Sequence, residues 1–465
     1  MSGLAKTLIV SDLHLGNGGS YDIFAGGETL PSLLRRFAAP GHTVICNGDG
    51  VDFLMNEDPL ELSEARAVEQ ATQICQNPVT QGVLHAIGDV LAAGASVVFR
   101  LGNHDIELAL PGVQATLRAH LGQPDAVRAK LQFQRGNEPA IIDAGGARIL
   151  ITHGEQNDEW NKVDYPHLPG PGAPSSAHAE DFRYAAGSKL VKTIMNPLKR
   201  AYGLKLIDLI KPDFQGGVLT ALAVSPQAVK EVFKGSTVDL LLQLRQSKHS
   251  PTTFGSDEED DLGLARALDA AHLTAEEQET LAAILSDGTD QPESFAFDSE
   301  TLSSLTLKLA KAGLAAYAKA QRKLTGAAGQ QFFALAPDET EWNEAKRLAH
   351  KYGVSAVVFG HSHAARFQQQ DGLTYLNTGT WIRLISLPAP DASDEEWTDF
   401  LTLARKNPQL DPAKGQMVPI LTRCTAAIIE PSPTGGASLQ LIEVDPSGQL
   451  LTRAHGHIPP HEAKP

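Results

Sequence analysis

The residues of this sequence with the clearest chemical potential lie in five short polar motifs. These are Ser11-Asp12-Leu13-His14, Gly48-Asp49, Gly102-Asn103-His104-Asp105, His153-Gly154 and Gly360-His361-Ser362-His363. Two carboxylates, four imidazoles and one amide oxygen in them are candidate metal ligands: Asp12, His14, Asp49, Asn103, His153, His361 and His363. A mixed nitrogen and oxygen set of this kind suits Mn, Fe, Zn or Co rather than a thiolate-bound metal. With one carboxylate bridging, seven side chains could hold two cations, and paired cations are the recurrent means of in-line displacement at phosphorus.

Each motif directly follows a short apolar run that predicts a buried strand. The five runs are Thr7–Val10, Thr43–Cys46, Ser96–Leu101, Arg148–Thr152 and Ser355–Phe359. Helical patterns lie between them at Ser63–Gln76, Val79–Ala93 and Ile106–Leu121, and Ile141–Asp143 is predicted to form a hairpin with Arg148–Thr152. The alternation predicts an α/β fold. Since open α/β sheets place ligands at the carboxyl ends of their strands, we expect the five motifs to converge.

Taken singly, most of these motifs also have a purely structural explanation. Asp12-Leu13-His14 could be a simple turn, and Gly48-Asp49 is typical of turns. The Gly102–Asp105 motif could cap a helix, and His153 could be a hydrogen-bonded core histidine. Gly360-His361-Ser362-His363 is more specific, because two imidazoles on one tight turn are rarely accidental. All five motifs in order, each after a predicted strand, favour a metal site over the all-structural interpretation.

The spacing of the motifs predicts a large insertion in the core. His153 and His361 are separated by 361 − 153 = 208 positions, more than a connection within one sheet requires. We therefore predict a first core part at 1–154, a mainly helical cap at 155–340, a second core part at 341–445 and a C-terminal tail at 446–465. Within the cap, Thr274–Leu285 and Leu302–Arg322 are predicted helices and Asp257–Asp261 a solvated acidic loop. Thr425–Ile429 and Leu439–Val444 are predicted to return to the sheet.

Composition limits the classes of protein that this chain can represent. It has 465 residues, of which 42% are hydrophobic, so it can bury a sizeable core. The three cysteines are too few for a disulfide framework, and neither a signal peptide nor a transmembrane run is evident, which predicts a cytoplasmic protein. A formal net charge of −16 argues against general nucleic-acid binding, although bound metals could still attract a phosphate substrate.

The five motifs, in this order, resemble those of the calcineurin-like metallophosphoesterase superfamily, over roughly residues 7–154 and 350–381. The resemblance implies two facing mixed β-sheets flanked by helices in four layers. One metal would take Asp12, His14, Asp49 and His363, and the other Asp49, Asn103, His153 and His361. It also implies two divalent ions, manganese first and Fe, Zn, Co or Ni as alternatives. The implied reaction is hydrolysis of a phosphodiester, pyrophosphate or phosphomonoester of a small molecule or nucleotide by metal-bridging hydroxide.

His104 is left over from the seven ligands. Next to the metals, its imidazole could protonate the leaving oxygen or stabilise charge on the phosphoryl group. Asp105 could accept a hydrogen bond from its far nitrogen and so fix the tautomer. The structural alternative for Asp105 is the N-cap of a helix beginning near Ile106. Asp52 is expected only to fix the loop that carries Asp49.

Three interpretations of the function follow from the resemblance. The segments Ser11–Gly16 and Ile151–Gly154 are most similar to bacterial members such as the UDP-2,3-diacylglucosamine hydrolases, but the insertion and Ala364-Ala365 depart from them. The leading interpretation is a phosphate ester hydrolase acting on a small molecule or nucleotide. A nuclease is the alternative among enzymes, which the overall acidity disfavours. A metal-binding scaffold with the same fold is the alternative outside enzymes, which the intact ligand set disfavours.

Overall fold

The computed structural model describes residues 4–175, 177–202, 335–385, 388 and 392–461. The chain divides into two compact units. The first comprises Met1–Lys189, Phe332–Arg383 and Thr422–Pro465, and the second comprises Leu190–Gln331 and Leu384–Leu421. Most of the predicted cap, with its two predicted helices and the acidic run, falls in 203–334 and lies outside the described residues. All five motifs lie in the first unit.

A seven-stranded mixed sheet forms one side of this first unit. Its strands are β1 (Thr7–Val10), β2 (Thr43–Asn47), β3 (Ser96–Arg100), β4 (Gln132–Gln134), β12 (Cys424–Pro431), β13 (Ala437–Val444) and β14 (Leu450–Ile458), in the order β14-β13-β12-β1-β2-β3-β4. The strands β1 to β4 are parallel, and β12 pairs with β1 in antiparallel fashion. The edge strand β14 lies within the segment predicted as a tail at 446–465, so that segment is part of the sheet.

A second, five-stranded mixed sheet contains the strands that precede the His153-Gly154 and Gly360–His363 motifs. Its strands are β5 (Ala140–Ala144), β6 (Ala147–Ile151), β7 (Ala356–Phe359), β8 (Ala365–Gln370) and β9 (Leu373–Thr378), in the order β5-β6-β7-β9-β8. The predicted hairpin is present as β5 and β6, and its two turn residues, Gly145 and Gly146, have φ of 61° and 85°. Glycine adopts such angles without steric cost, which favours this tight turn. Strands β6, β7 and β9 are parallel neighbours, so the inserted segment leaves and re-enters the sheet at adjacent strands.

Helices and a small sheet complete the described chain. The α-helices are α1 (Thr29–Arg35), α2 (Glu64–Gln76), α3 (Pro78–Ala92), α4 (Pro111–Ala119), α5 (Asp125–Arg128), α6 (Ala186–Leu190), α7 (Asn196–Tyr202), α8 (Glu339–Tyr352) and α9 (Asp394–Lys406). Short 3-10 helices span Ile106–Ala109, Glu155–Asn157 and Pro412–Lys414, a π-helix spans Val191–Met195, and β10 (Arg383–Ile385) pairs with β11 (Ile420–Thr422). Among these described helices, none is both long and apolar enough to cross a membrane.

The helix predicted at Ile106–Leu121 is interrupted. A 3-10 helix ends at Ala109, Leu110 is extended with φ −84° and ψ 130°, and α4 begins at Pro111. A residue that precedes proline is pushed out of the α region, while proline itself fits the first helical position. The break therefore follows from Pro111, which the hydrophobic periodicity did not take into account.

The two large sheets share an apolar core. Ile9 and Ile45 from the seven-stranded sheet lie in one buried cluster with Ile149 and Val358 from the five-stranded sheet. A second cluster joins β1, β2 and β3 to helices α1, α2 and α3, and a third joins β7 and β9 to α8. Direct packing of the sheets sets the positions of their strand ends relative to one another.

Helix α8 begins in a complete capping box. The side chain of Asp338 accepts a hydrogen bond from Glu341 N at 2.7 Å, and the Glu341 carboxylate accepts one from Asp338 N at 3.0 Å. Burial, reinforced by the nearby Glu341 carboxylate, raises the pKa of Asp338 to about 7. The folded chain thus retains a proton at a pH where an unfolded chain has released it.

We expect the free energy of unfolding to fall as the pH rises from about 4 to about 7, with Asp338 contributing to the fall. Asp338→Asn should make this dependence shallower, because asparagine keeps the cap but has no titrating carboxyl. Urea unfolding of metal-free protein at several pH values, in EDTA, measures it. Glu339→Gln, which removes an exposed carboxylate from the same turn, is the control. Equal pH dependence of wild type and Asp338→Asn would contradict the assignment.

Candidate metal centre

The five motifs meet because the loops that follow the strands are bonded to one another. Asp12 N donates to Gly48 O at 3.1 Å, and Gly48 N donates to Arg100 O at 3.0 Å. These bonds join the loops after β1, β2 and β3. In the other sheet, Gly360 N donates to His153 O at 2.9 Å and joins the loops after β6 and β7. The convergence expected at the carboxyl ends of the strands is therefore present in both sheets.

The first group of potential ligands consists of Asp12, His14 and His363, all buried, with one ligand atom from each lying within 4.8 Å of the others. His14 Nε2 lies 3.4 Å from His363 Nε2, and His363 Nε2 lies 3.3 Å from Asp12 Oδ1. Ligand atoms about 2.1 Å from a shared cation are roughly 3 to 3.4 Å apart. The spacing of these three side chains therefore suits one cation.

The second group consists of Asp49, His153 and His361, also buried and also within 4.8 Å. His153 Nε2 lies 3.3 Å from Asp49 Oδ2, while its Nδ1 faces the backbone oxygen of Asn47 at 2.8 Å. Asn47 O can only accept, so Nδ1 carries the hydrogen and Nε2 is the nitrogen available to a metal. A hydrogen bond from the ring nitrogen that does not face the metal is known to orient metal-bound histidines.

Three buried atoms of predicted ligands make no hydrogen bond within the described chain, although the first and third face an ion-pair partner at 3.3 Å: Asp12 Oδ1, Asn103 Oδ1 and His153 Nε2. Leaving a buried polar atom without a partner costs about 1–3 kcal/mol. The three atoms belong to predicted ligands, and a divalent cation would satisfy all of them. The donor set of carboxylate, imidazole and amide oxygen thus fits the divalent metals expected from the sequence.

Charge is strongly coupled across the second group. Burial alone would lower the pKa of His153, but the adjacent Asp49 carboxylate raises the pKa to about 10. Burial alone would raise the pKa of Asp49, and the imidazole of His153 holds the pKa well below its usual range. For Asp12, burial dominates and raises the pKa. Because these groups are buried away from water, each charge is stabilised chiefly by its oppositely charged neighbours.

Backbone conformation marks the same residues. In the described chain, positive φ occurs at seven non-glycine residues: Asp12, His14, Asp49, His361, His363, Asp371 and Leu410. Five of these are predicted ligands. Positive φ is uncommon outside glycine and concentrates where a site over-determines the backbone. The strain therefore points to function at the same positions as the motifs.

The glycines within the motifs are needed for close approach. At Gly102, an added Cβ would lie 2.7 Å from Asp49 N and 2.8 Å from His153 Nε2. At Gly48, where φ is 84°, an added Cβ would meet the ring of His153. A side chain at either position would displace potential ligands, which explains why glycine precedes Asp49 and Asn103.

The environment of His104 corrects one expectation. His104 Nδ1 lies 3.3 Å from Asp52 Oδ2, and the same carboxylate oxygen lies 2.8 Å from His14 Nδ1. Asp105 instead accepts hydrogen bonds from the backbone N–H groups of Gly102 and Gly50, at 2.7 and 2.8 Å. The expected pairing of Asp105 with His104 is therefore replaced by Asp52. The alternative role of Asp105 as a helix cap is absent too, since its side chain makes no capping bond.

Two carboxylates that the sequence interpretation left out of the site contact it directly. Although burial alone would raise the pKa of Asp52, the imidazoles of His104 and His14 hold the pKa well below its usual range. Asp158 lies 3.0 Å from His361 Nε2. The spacing Asp49-x-x-Asp52 was a visible signal for the first. For Asp158, five positions after His153, the chain offers no pattern that identifies the contact.

Comparison with known proteins gives a limited result. No protein-family model matches this chain, and no curated protein matches it. Among solved structures, it is similar to the phosphopantetheinyl hydrolase of Mycobacterium tuberculosis, with 13% identity, TM-score 0.24, and coverage of 86% of this chain and 93% of that one. It is also similar to a structure described as a 5'-nucleotidase from Staphylococcus aureus, with 10% identity, TM-score 0.28, and coverage of 99% of this chain but only 55% of that one. Both TM-scores are below 0.5.

We expect reconstituted protein to hold two transition-metal ions per chain. Asp49→Ala should lose both, because Asp49 is expected to bridge, whereas His14→Ala should weaken chiefly one. Elemental analysis after desalting measures the metal content. His120→Ala, which removes an imidazole bonded to the carbonyl oxygen of Thr116 in the preceding helix α4, is the control and should keep both ions. A wild-type value near one with full activity would rule out the bridging arrangement.

Proposed function

We propose that this chain is a metal-dependent hydrolase of phosphate esters or anhydrides that uses two divalent cations. The observation that carries the proposal is the presence of two buried groups of potential ligands, Asp12 with His14 and His363, and Asp49 with His153 and His361, beside a third group of His14, Asp52 and His104. Paired divalent cations are the recurrent solution for displacement at phosphorus. The motif order adds the resemblance to calcineurin-like metallophosphoesterases.

The chain's own residues divide into two metal-holding sets in this proposal. The first comprises Asp12, His14, Asp49 and His363, and the second comprises Asp49, Asn103, His153 and His361. When bound, the two cations supply positive charge to the phosphoryl oxygens and lower the pKa of a water molecule enough to make it a nucleophile. Asn103 supports this division, because its buried Oδ1 accepts no hydrogen bond within the described chain.

His104 is proposed to act on the phosphate rather than on a metal. Its ring stands edge-on to that of His14, with centroids 4.7 Å apart, which places it beside the first set. The carboxylate of Asp52 holds His104 Nδ1, and an imidazole fixed at one nitrogen can exchange a proton through the other. His104 could act in either of two ways. It could protonate the leaving oxygen, or it could donate a hydrogen bond to the phosphoryl group.

The activity itself is tested with a panel of generic esters. We expect hydrolysis of bis-p-nitrophenyl phosphate or p-nitrophenyl phosphate with Mn²⁺, with Co²⁺, Ni²⁺, Zn²⁺ and Mg²⁺ assayed in parallel. Asp12→Ala should be inactive, because a ligand of the first set is lost. Release of p-nitrophenolate is followed by absorbance. Two bound metals with no hydrolysis of monoesters, diesters or pyrophosphates would favour the scaffold interpretation instead.

His104→Ala should keep the metal content and lower kcat by roughly 10²–10⁴, the usual effect of removing a general acid or a charge-stabilising donor. If His104 protonates the leaving group, the loss should be smaller for esters of p-nitrophenol than for esters of simple alcohols. If it binds the phosphoryl oxygens, the loss should hardly depend on the leaving group. Steady-state kinetics on matched esters, with metal content measured on the same samples, separates the two.

Asp52→Asn is the companion variant. It should reproduce part of the His104→Ala defect and also weaken the metal of the first set, because Asp52 contacts both His104 and His14. Asp105→Asn should differ, since its carboxylate contacts backbone N–H groups and not the imidazole. Loss of a metal from His104→Ala, with unchanged turnover per metal bound, would show that His104 is a ligand.

A further inference from the structure

We infer that Asp158 is a positioning residue that fixes His361 for the second metal, and that Asn161 extends this contact to Asn103. The inference rests on the proposed function, because it assigns a purpose to residues around the proposed second set. It adds a segment that the sequence assigned to the insertion, beginning at residue 155, to the residues that build the site.

The contact between Asp158 and His361 is short and buried. Asp158 Oδ2 lies 3.0 Å from His361 Nε2, and the two side chains are 6% and 5% exposed. An ionised carboxylate only accepts hydrogen bonds, so Nε2 is the nitrogen that carries hydrogen. Nδ1 of His361 is then the nitrogen left for a metal. A carboxylate that accepts from the far nitrogen of a metal-bound histidine fixes both the tautomer and the ring orientation.

Asp158 is itself held by its own loop. Its Oδ1 accepts a hydrogen bond from Trp160 N at 2.9 Å, and its Oδ2 accepts a second from Asn161 Nδ2 at 2.7 Å. These two hydrogen bonds orient the carboxylate within its own loop.

Asn161 connects this carboxylate to a second proposed ligand. While its Nδ2 donates to Asp158, its Oδ1 accepts from Asn103 Nδ2 at 3.5 Å, a long bond. Using Nδ2 of Asn103 in this way leaves Oδ1 as the free end of the amide, and this is the atom that has no hydrogen-bond partner within the described chain. One short loop thus contacts two ligands that follow different strands, β3 and β7.

The neighbouring residue provides a matched control. Glu159 is 55% exposed and pairs only loosely with Lys162, at 3.7 Å, so Glu159→Ala removes an equal charge from the same loop without touching a ligand. Asp158→Asn keeps an oxygen that can accept from His361 Nε2, whereas Asp158→Ala keeps none. Asn161→Ala keeps the Asp158 carboxylate and removes only the amide that links Asp158 to Asn103.

The test measures the affinity of each of two Mn²⁺ ions for the full-length protein by competition with a fluorescent chelator. Asp158→Ala should weaken one ion by about 10–100-fold, the usual effect of losing such a partner, and leave the other unchanged. Asp158→Asn and Asn161→Ala should weaken the same ion by less, and Glu159→Ala should match wild type. If Asp158→Ala does not fold, the Asp158→Asn and Asn161→Ala variants still give the result.

Three outcomes would overturn the inference. Wild-type affinity for both ions in Asp158→Ala or, should it not fold, in both Asp158→Asn and Asn161→Ala would show that the contact does not position His361. Equal losses of Mn²⁺ affinity in Asp158→Ala and Asp158→Asn would show that the negative charge of Asp158 supports the metal, and not its hydrogen bond with His361. A loss in Glu159→Ala as large as that in Asp158→Ala would reduce the effect to the overall charge of the loop. Failure of the wild type to bind two ions would instead contradict the proposed function.

Discussion

The loops that carry the proposed ligands contain residues in the left-handed backbone conformation, which is sterically unfavourable for residues other than glycine. Positive φ at Asp12, His14 and Asp49, and again at His361 and His363, costs roughly 1–2 kcal/mol per residue. Backbone bonds between loops offset the cost, among them His14 N to Asp49 O at 2.9 Å. Because each loop is fixed by its neighbours, the side chains of the proposed ligands have little freedom to move apart.

The packing of the two sheets against each other is equally important, because each proposed metal set takes side chains from both sheets. Asp12 and His14 follow a strand of the seven-stranded sheet, whereas their partner His363 follows one of the five-stranded sheet. Asp49 comes from the first sheet, and its partners His153 and His361 come from the second. The distance between these proposed ligands is therefore set by the apolar contacts between the sheets, and the proposed activity would depend on buried core residues such as Ile9 and Val358.

Much of this arrangement could be predicted from the sequence, for identifiable reasons. Strand β1 was predicted with its observed ends, since a short apolar run between polar residues has few alternatives. The seven proposed ligands were chosen from their positions at strand ends, and six of them lie in two buried groups. Asp105 was predicted as the partner of His104 because it is adjacent in sequence, but the loop turns its carboxylate toward Gly102 and Gly50 and brings Asp52 to the imidazole. Contacts between residues far apart in the chain, such as Asp158 with His361, depend on tertiary packing and have no local signature.

The neighbouring positions of β6 and β7 have a consequence for the way the chain folds. Ala356 follows Ile151 by 356 − 151 = 205 positions, yet the two strands pair directly. Pairing over such a separation pays its loop-closure entropy before any contact repays it, and is intrinsically slow. Five of the seven proposed ligands lie before β7 in the chain, whereas His361 and His363 follow β7 and reach the others only when this strand has paired. A cation bound at the proposed sets would connect the two sheets, and its binding free energy would contribute to the free energy of folding. Metal supply would then govern how much of the chain reaches its completed fold, in addition to how fast that fold reacts.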